Sequence, residues 1–127
     1  MAVVKLDHIV LTVASIEATC AFYTQALGFA LREQNGRFAL HFGPHKFNLH
    51  QAGHEFEPKA RHPVPGSGDV CLVSDEPVEA LAERLAALGI TIEEGPVARV
   101  GAVHPLLSIY VRDPDGNLVE VSNERPA

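Results

Sequence analysis

Two short stretches, "LGFALRE" at residues 27–33 and "LGITIEE" at residues 88–94, have the same order of residue types 61 positions apart. Each follows a strand-like run and then a helix-like run. Self-similarity at a fixed spacing is the sequence signature of a repeated structural unit. The chain therefore contains two copies of one module.

In the first copy, residues 4–13 (VKLDHIVLTV) are rich in β-branched residues with alternating polar positions, which predicts a strand. Ser15 is placed to cap a helix, and Gly28 is placed to end it in the left-handed conformation. Apolar residues between these caps recur at helical spacing and define one buried face. They are Ile16, Cys20, Tyr23 and Leu27.

The second copy has the same order of strand and helix signals. Residues 68–74 (GDVCLVS) predict a strand, Pro77 suits the first helical position, and Gly89 ends the helix. Its apolar stripe is Val78, Leu81, Leu85 and Leu88.

Three more strands are expected after each helix, with "NG", "GP" and "DPDG" as turn signals. Each module then reads βαβββ, and the fold class is α+β. The modules span about residues 1–52 and 67–127 of a single domain, and the polar, proline-containing residues 53–66 read as the linker. The expected strands are residues 29–34, 37–42, 46–51, 91–94, 108–112 and 117–122.

Composition and charge exclude some classes of function. The 127 residues are 46% hydrophobic and 20% charged, with a formal net charge of −6 and no clustered basic stripe, which argues against a nucleic-acid partner. No apolar run approaches the roughly 18 residues of a membrane span, and no signal-peptide pattern is seen, so a cytoplasmic location is expected. Cys20 and Cys71 form no metal-spacing motif and are expected to be free thiols.

The repeat allows positions to be compared within one chain. His8 on the first strand matches Asp69, 61 residues later, while His50 and Glu120 lie on the last strands of the two modules. Two imidazoles and a carboxylate suit a divalent transition metal with open positions. We therefore predict a metal site of His8, His50 and Glu120, with Asp69 less secure. A single strand histidine is more often a core residue, and Asp69 could simply cap a turn.

Other residues could face a substrate. Tyr110 and Arg112 share one strand face and could offer a hydroxyl and a cation to an anionic substrate, although a solvated face is an equal alternative. His104 is expected in a loop within reach of a substrate. Cys71 follows Asp69 by two residues, and a packed, inert thiol is its favoured interpretation.

Three segments carry a family resemblance: "DHIVLTV…FYTQALGF" and "KFNLHQAG" in the first module, and "SIYVRDPDGNLVEVSN" at the end of the second. Together they resemble the vicinal-oxygen-chelate superfamily, which includes glyoxalase I, fosfomycin-resistance thiol transferases, extradiol dioxygenases and bleomycin-resistance proteins. The similarity is greatest to glyoxalase-domain-containing proteins of undefined substrate.

The resemblance implies a metal inside a U-shaped, partly open sheet, with His8, His50 and Glu120 at ligand positions. Asp69 departs from the pattern, because glyoxalases and fosfomycin enzymes typically place His there, so it is either a weaker fourth ligand or a hydrogen-bond partner of one. The resemblance also implies a homodimer and one divalent ion per site: Ni, Zn, Mn, Co or Fe.

The expected function is a metal-dependent lyase or isomerase, similar to lactoylglutathione lyase, acting on a small oxygen-chelating substrate. Glu120 would be its proton-transfer base. Two alternatives stay open: a metal-free, drug-binding resistance protein, and an Fe(II) dioxygenase. Most dioxygenases of this kind are about twice as long.

Overall fold

The computed structural model describes residues 2–126 and divides into two compact units, the first ending at Ser67 and the second beginning at Gly68. Each unit has the strand–helix–strand–strand–strand order, so the predicted α+β fold of two tandem βαβββ modules is confirmed. The first unit contains β1 (His8–Val13), α1 (Ile16–Leu27), β2 (Ala30–Gln34), β3 (Arg37–Phe42) and β4 (His45–Gln51). The second contains β5 (Asp69–Val73), α2 (Val78–Ala87), β6 (Glu94–Val100), β7 (Pro105–Arg112) and β8 (Leu118–Glu124).

Both sheets have the same topology. Their strand orders are β1-β4-β3-β2 and β5-β8-β7-β6. In each unit the first strand runs parallel to the last, and the other neighbours are antiparallel. The first and last strands of each unit are therefore adjacent, and side chains from both can share one sheet face.

The first unit has an aromatic core between α1 and its sheet. Tyr23 is fully buried, and its ring lies 5.2 Å from that of Phe29 and 5.6 Å from that of Phe47. The predicted caps are present: Ser15 Oγ accepts from the Ala18 amide at 3.1 Å, and Gly28 has φ +73°. Local sequence thus fixes where α1 begins and ends.

The second unit has an aliphatic core, in which Leu85, Ile109 and Val119 are fully buried. Leu88, predicted to belong to the apolar stripe, is instead 51% exposed because α2 ends at Ala87. The left-handed Gly89 (φ +79°) follows as predicted.

The first strand after α2 differs from the prediction. Residues 91–94 are expected in this strand because they match the strand after the first helix in the repeat, but β6 runs from Glu94 to Val100. Its Gly95–Pro96 pair normally argues against a strand. Here β6 is an edge strand with a register shift between Glu94 and Val97, and Pro is tolerated at such edges and bulges.

The segment expected as a linker belongs to the first unit. Phe56 within it meets the His50 ring edge-on at 5.4 Å between centroids, and the Arg37 guanidinium lies 4.0 Å from the Phe56 ring centre. This segment therefore covers one end of the first sheet. Over residues 2–126, neither helix is long and apolar enough to cross a membrane.

Candidate functional site

Each sheet has one face packed on its helix and one open face. Leu11, Leu40 and Phe47 are buried on the helix side of the first sheet. Because successive strand residues point to opposite faces, their neighbours line the open face. All the predicted site residues except His104 fall on these open faces.

His8 begins β1 on the open face, and its side chain is 41% exposed. Its Nδ1 lies 2.8 Å from Asp7 Oδ1, and this hydrogen bond is the main cause that lowers the pKa of Asp7. A carboxylate at Nδ1 favours the tautomer that leaves the Nε2 lone pair available. His8 is therefore oriented in the way usual for a metal-ligating histidine.

His50 does not lie beside His8. In the parallel pairing of β1 and β4, His8 is opposite Lys46, whereas His50 is opposite Thr12. An offset of four residues corresponds to roughly 13 Å along the strand direction. The residue of the open face between these two positions on β4 is Asn48.

The register also changes which residues are equivalent between the units. Glu120 is opposite Cys71, and 61 residues before Cys71 comes Val10, which is opposite Asn48. Asn48 is thus the counterpart of Glu120. The counterpart of His50 is Ser122, because the two are opposite the equivalent positions Thr12 and Val73. His50 and Glu120 therefore lie on equivalent strands, as expected, but two residues apart in register.

Glu120 is half-buried on the open face of the second sheet and is held by hydroxyl groups. Ser108 Oγ donates to Glu120 Oε2 at 2.7 Å and lies 2.6 Å from Ser122 Oγ. Both serines are fully buried. The sequence analysis assigned neither serine a role, although the two-residue spacing from Tyr110 and from Glu120 puts them on the same face. They fix the carboxylate at the sheet surface.

Cys71 borders the same group. Its Sγ lies 3.3 Å from Ser122 Oγ, and both cysteines are free thiols, as expected. Cys71 is exposed, so the expected packed thiol is wrong. Desolvation is still the main cause that raises the pKa of Cys71, and the nearby Glu120 charge adds to the rise. The thiol therefore stays protonated at neutral pH. Asp69 lies on the same face two residues earlier, opposite Leu118.

Tyr110 and Arg112 lie on the Glu120 face, since Tyr110 is directly opposite Glu120 and Arg112 is opposite Leu118. The Tyr110 hydroxyl accepts from Arg99 Nε at 2.8 Å, and Arg99 also pairs with Glu94. Burial is the main cause that raises the pKa of Tyr110.

Arg112 has a carboxylate partner. It donates from Nε and from one terminal nitrogen to the two oxygens of Glu93, both at 3.0 Å. Its charge is therefore compensated. His104 is exposed in the turn between β6 and β7, six residues along β7 from Tyr110, so the second unit does not bring it to Glu120.

Metal-binding side chains occur in both units but do not cluster within either. In residues 2–126, neither unit on its own brings together three or more His, Cys, Asp or Glu side chains with a geometry suited to an ion. The first unit offers His8, and the second offers Glu120 and Asp69.

Two βαβββ units whose open faces carry histidine and carboxylate side chains define the class of protein. Residues 5–121 match the family described as Glyoxalase/Bleomycin resistance protein/Dioxygenase superfamily. The chain belongs to this superfamily.

Two relatives are similar over most of the chain. Virulence protein STM3117 of Salmonella typhimurium strain LT2 is 49% identical over 123 residues, which cover 96% of this chain and 85% of that protein. Its crystal structure has a TM-score of 0.95 at 47% identity, covering 98% of this chain and 100% of that one. The glyoxalase domain-containing protein RDO1 of Mycosarcoma maydis is 48% identical over 127 residues, covering 100% of this chain and 72% of that protein.

A more distant structure, lactoylglutathione lyase from Agrobacterium tumefaciens, has a TM-score of 0.74 at 23% identity, covering 97% of this chain and 96% of that one. At this identity the likeness establishes the fold alone.

Proposed function

We propose that this chain is a divalent-metal-dependent enzyme of the lyase or isomerase type, acting on a small substrate with neighbouring oxygens. The observation that carries the proposal is the position and hydrogen bonding of the Glu120 side chain. It is a carboxylate on an open sheet face, held at Oε2 by a buried serine hydroxyl at 2.7 Å. A fixed carboxylate that solvent and substrate can reach is suited to moving protons.

The donors that favour a metal are His8 and Glu120, with Asp69 as a further carboxylate. His8 has Nδ1 occupied by Asp7, so Nε2 is the atom available to an ion. The register favours Asn48 over His50 as the neighbour of His8. An imidazole with oxygen ligands suits Mn, Fe, Co, Ni or Zn, depending on coordination geometry.

When bound, the metal supplies Lewis-acid polarisation of the substrate oxygens. Glu120 takes the proton from the substrate carbon that bears the hydroxyl and returns it to the adjacent carbonyl carbon. The hydroxyl proton passes to the former carbonyl oxygen, so the net reaction is an isomerisation. Ser108 keeps the carboxylate oriented between the two transfers. Tyr110 is opposite Glu120 on the neighbouring strand, which supports a role for its hydroxyl as a donor to a substrate oxygen. A homodimer and a cytoplasmic location remain predictions.

The test combines metal titration with an isomerase assay. The protein is stripped with a chelator, reloaded with each divalent ion, analysed for metal content and assayed with the hemithioacetal of a small 2-oxoaldehyde. We expect His8→Ala and Glu120→Gln each to weaken metal binding at least about tenfold. His62→Ala and Glu83→Gln, matched changes at exposed residues, leave it unaltered.

Metal content below about 0.2 ion per chain after reconstitution would overturn metal dependence. Metal binding without proton exchange or isomerisation of any 2-oxoaldehyde adduct would overturn the lyase or isomerase activity alone.

A further inference from the structure

The open face of the first sheet has a charge opposite to that of the whole chain. Twelve strand positions line it, three on each of β1, β2, β3 and β4. Three of them hold Lys or Arg, three hold His, and none holds Asp or Glu, whereas the chain has a formal net charge of −6. The basic and imidazole side chains are Arg32, Arg37, Lys46, His8, His41 and His50.

Three of these side chains converge on one part of the face. His41 is directly opposite Lys46, and Arg32 is opposite Ala39, two residues from His41. Directly opposed Cβ atoms are about 5 Å apart and diagonal ones about 7–8 Å, which long side chains span. The pKa of His41 reflects this: burial is the main cause that lowers it, and the charges of Arg32 and Lys46 lower it further.

Within residues 2–126, neither Arg32 nor Lys46 has an ion-pair partner, in contrast to Lys59, Arg84, Arg99 and Arg112. Arg99 pairs with Glu94, and Arg112 with Glu93. Asp7, just before β1, is influenced by the charge of Lys46, but its hydrogen bond goes to His8. Arg32 and Lys46 lie on the two strands that flank His41, so their positive charges reinforce each other at this part of the face. An anionic group bound at this part of the face would be attracted by both charges.

We propose that Arg32, His41 and Lys46 form a binding site for an anionic oxygen group, a carboxylate or a phosphoryl group, on a small-molecule ligand. Lys46 is also opposite His8 across the β1–β4 pair. The bound anion consequently lies next to the residue proposed as a metal ligand. If this ligand is the substrate, the substrate carries an anionic group near its reacting oxygens, and that part of the inference rests on the proposed function. The binding of an anion at Arg32, His41 and Lys46 does not depend on the proposed function.

The structure also favours different positive side chains for an anionic substrate group from the one that the sequence suggested. The sequence indicated Arg112 as the positive group for an anionic substrate, but Arg112 is already paired with both oxygens of Glu93. Arg32 and Lys46, which have no ion-pair partner within residues 2–126, lie in the first unit.

The experiment titrates the full chain with inorganic phosphate and, separately, with succinate, at constant ionic strength and with a chelator present so that no metal contributes. Backbone amide and imidazole NMR shifts report binding. We expect saturable shifts that cluster at Arg32, His41 and Lys46. The tighter of the two probes identifies whether a phosphoryl or a carboxylate group is preferred.

Arg32→Gln and Lys46→Gln should each raise the dissociation constant at least about fivefold, because each removes a charge-assisted hydrogen bond. Lys59→Gln is the matched control. It removes the same charge from a lysine already paired with Glu55 and Glu57, and should change the constant less than about twofold.

Shifts that do not saturate, or an equal weakening in all three variants, would show only general charge attraction and would overturn the site. Because no metal is present, failure here leaves the metal-dependent activity untouched. Failure of the metal titration likewise leaves the anion site untouched.

Discussion

Gln51 and Asn123 occupy the same position in the two units, and each side-chain amide holds the connection between the first strand and the helix. Gln51 donates from Nε2 to the Val13 and Ala14 carbonyls and accepts from the Ile16 amide. Asn123 donates to the Ser74 and Glu76 carbonyls and accepts from the Val78 amide at 2.8 Å. This equivalence supports the alignment of the units independently and again pairs Asn48 with Glu120.

Removal of either amide should destabilise its unit. Gln51→Ala and Asn123→Ala each remove three hydrogen bonds to the backbone of this connection, and we expect a loss of about 1–3 kcal/mol in the free energy of unfolding. Urea denaturation followed by circular dichroism measures this. Gln34→Ala, on an exposed edge strand, is the matched control and should change little. A Gln51→Ala cost no larger than that of Gln34→Ala would contradict the assigned role.

Ser108 should act on metal affinity through Glu120. Ser108→Ala removes the hydroxyl that donates to Glu120 Oε2, so the carboxylate loses its orientation. We expect metal binding to weaken about tenfold, as for other groups that orient metal ligands. Isothermal titration of the stripped protein measures the affinity.

Ser15→Ala is the control for this change, because Ser15 caps α1 in the first unit. It should cost about 1 kcal/mol of stability and leave the metal affinity unaltered. Equal metal affinities for the two serine variants would remove Ser108 from the positioning role.

Local chemistry predicted the modules well. The Ser15 cap and the left-handed Gly28 and Gly89 depend on residues adjacent in sequence, so their positions could be read directly. Strand register could not, because it depends on loop length and on pairing across the sheet. Register is what separates His50 from His8 and places Asn48 at the position equivalent to Glu120.

The hydrogen-bonded serines beside Glu120 and the basic side chains of the first sheet could not be predicted from the sequence for the same reason. Ser108 and Ser122 are ordinary strand residues until β7 and β8 are aligned in register. Arg32 and Lys46 are 14 residues apart in sequence. Only the β2–β3–β4 pairing brings both to His41.

His41 should titrate below the ordinary histidine value of 6.5, and neutralising a neighbour should raise its pKa. Arg32→Gln removes one of the two positive charges that disfavour the imidazolium, so the pKa of His41 rises part of the way back. The rise is partial because burial is the larger cause. NMR titration of the imidazole protons measures it.

The lowered pKa of His41 makes the stability of the fold depend on pH in a definite direction. A histidine whose pKa is lowered by folding binds its proton less tightly than in the unfolded chain. Its stabilising contribution is therefore complete above the unfolded value of 6.5 and is lost as the pH falls below it. Arg32→Gln should reduce this loss. A pKa of His41 that stayed the same or fell in Arg32→Gln would place Arg32 outside its neighbourhood.

Asn48 and His50 can be distinguished by their effects on metal affinity. The register puts Asn48 beside Val10, on the open face and diagonal to His8, while His50 lies roughly 13 Å from His8 along the strand direction and packs edge-on against Phe56. We therefore expect Asn48→Ala to weaken metal binding more than His50→Ala does. His8→Ala has the largest effect of the three. Competitive titration with a metal-sensitive dye gives all three affinities under one condition. If His50→Ala proved as damaging as His8→Ala while Asn48→Ala bound normally, the metal site would follow the sequence prediction of His8, His50 and Glu120 and not the strand register.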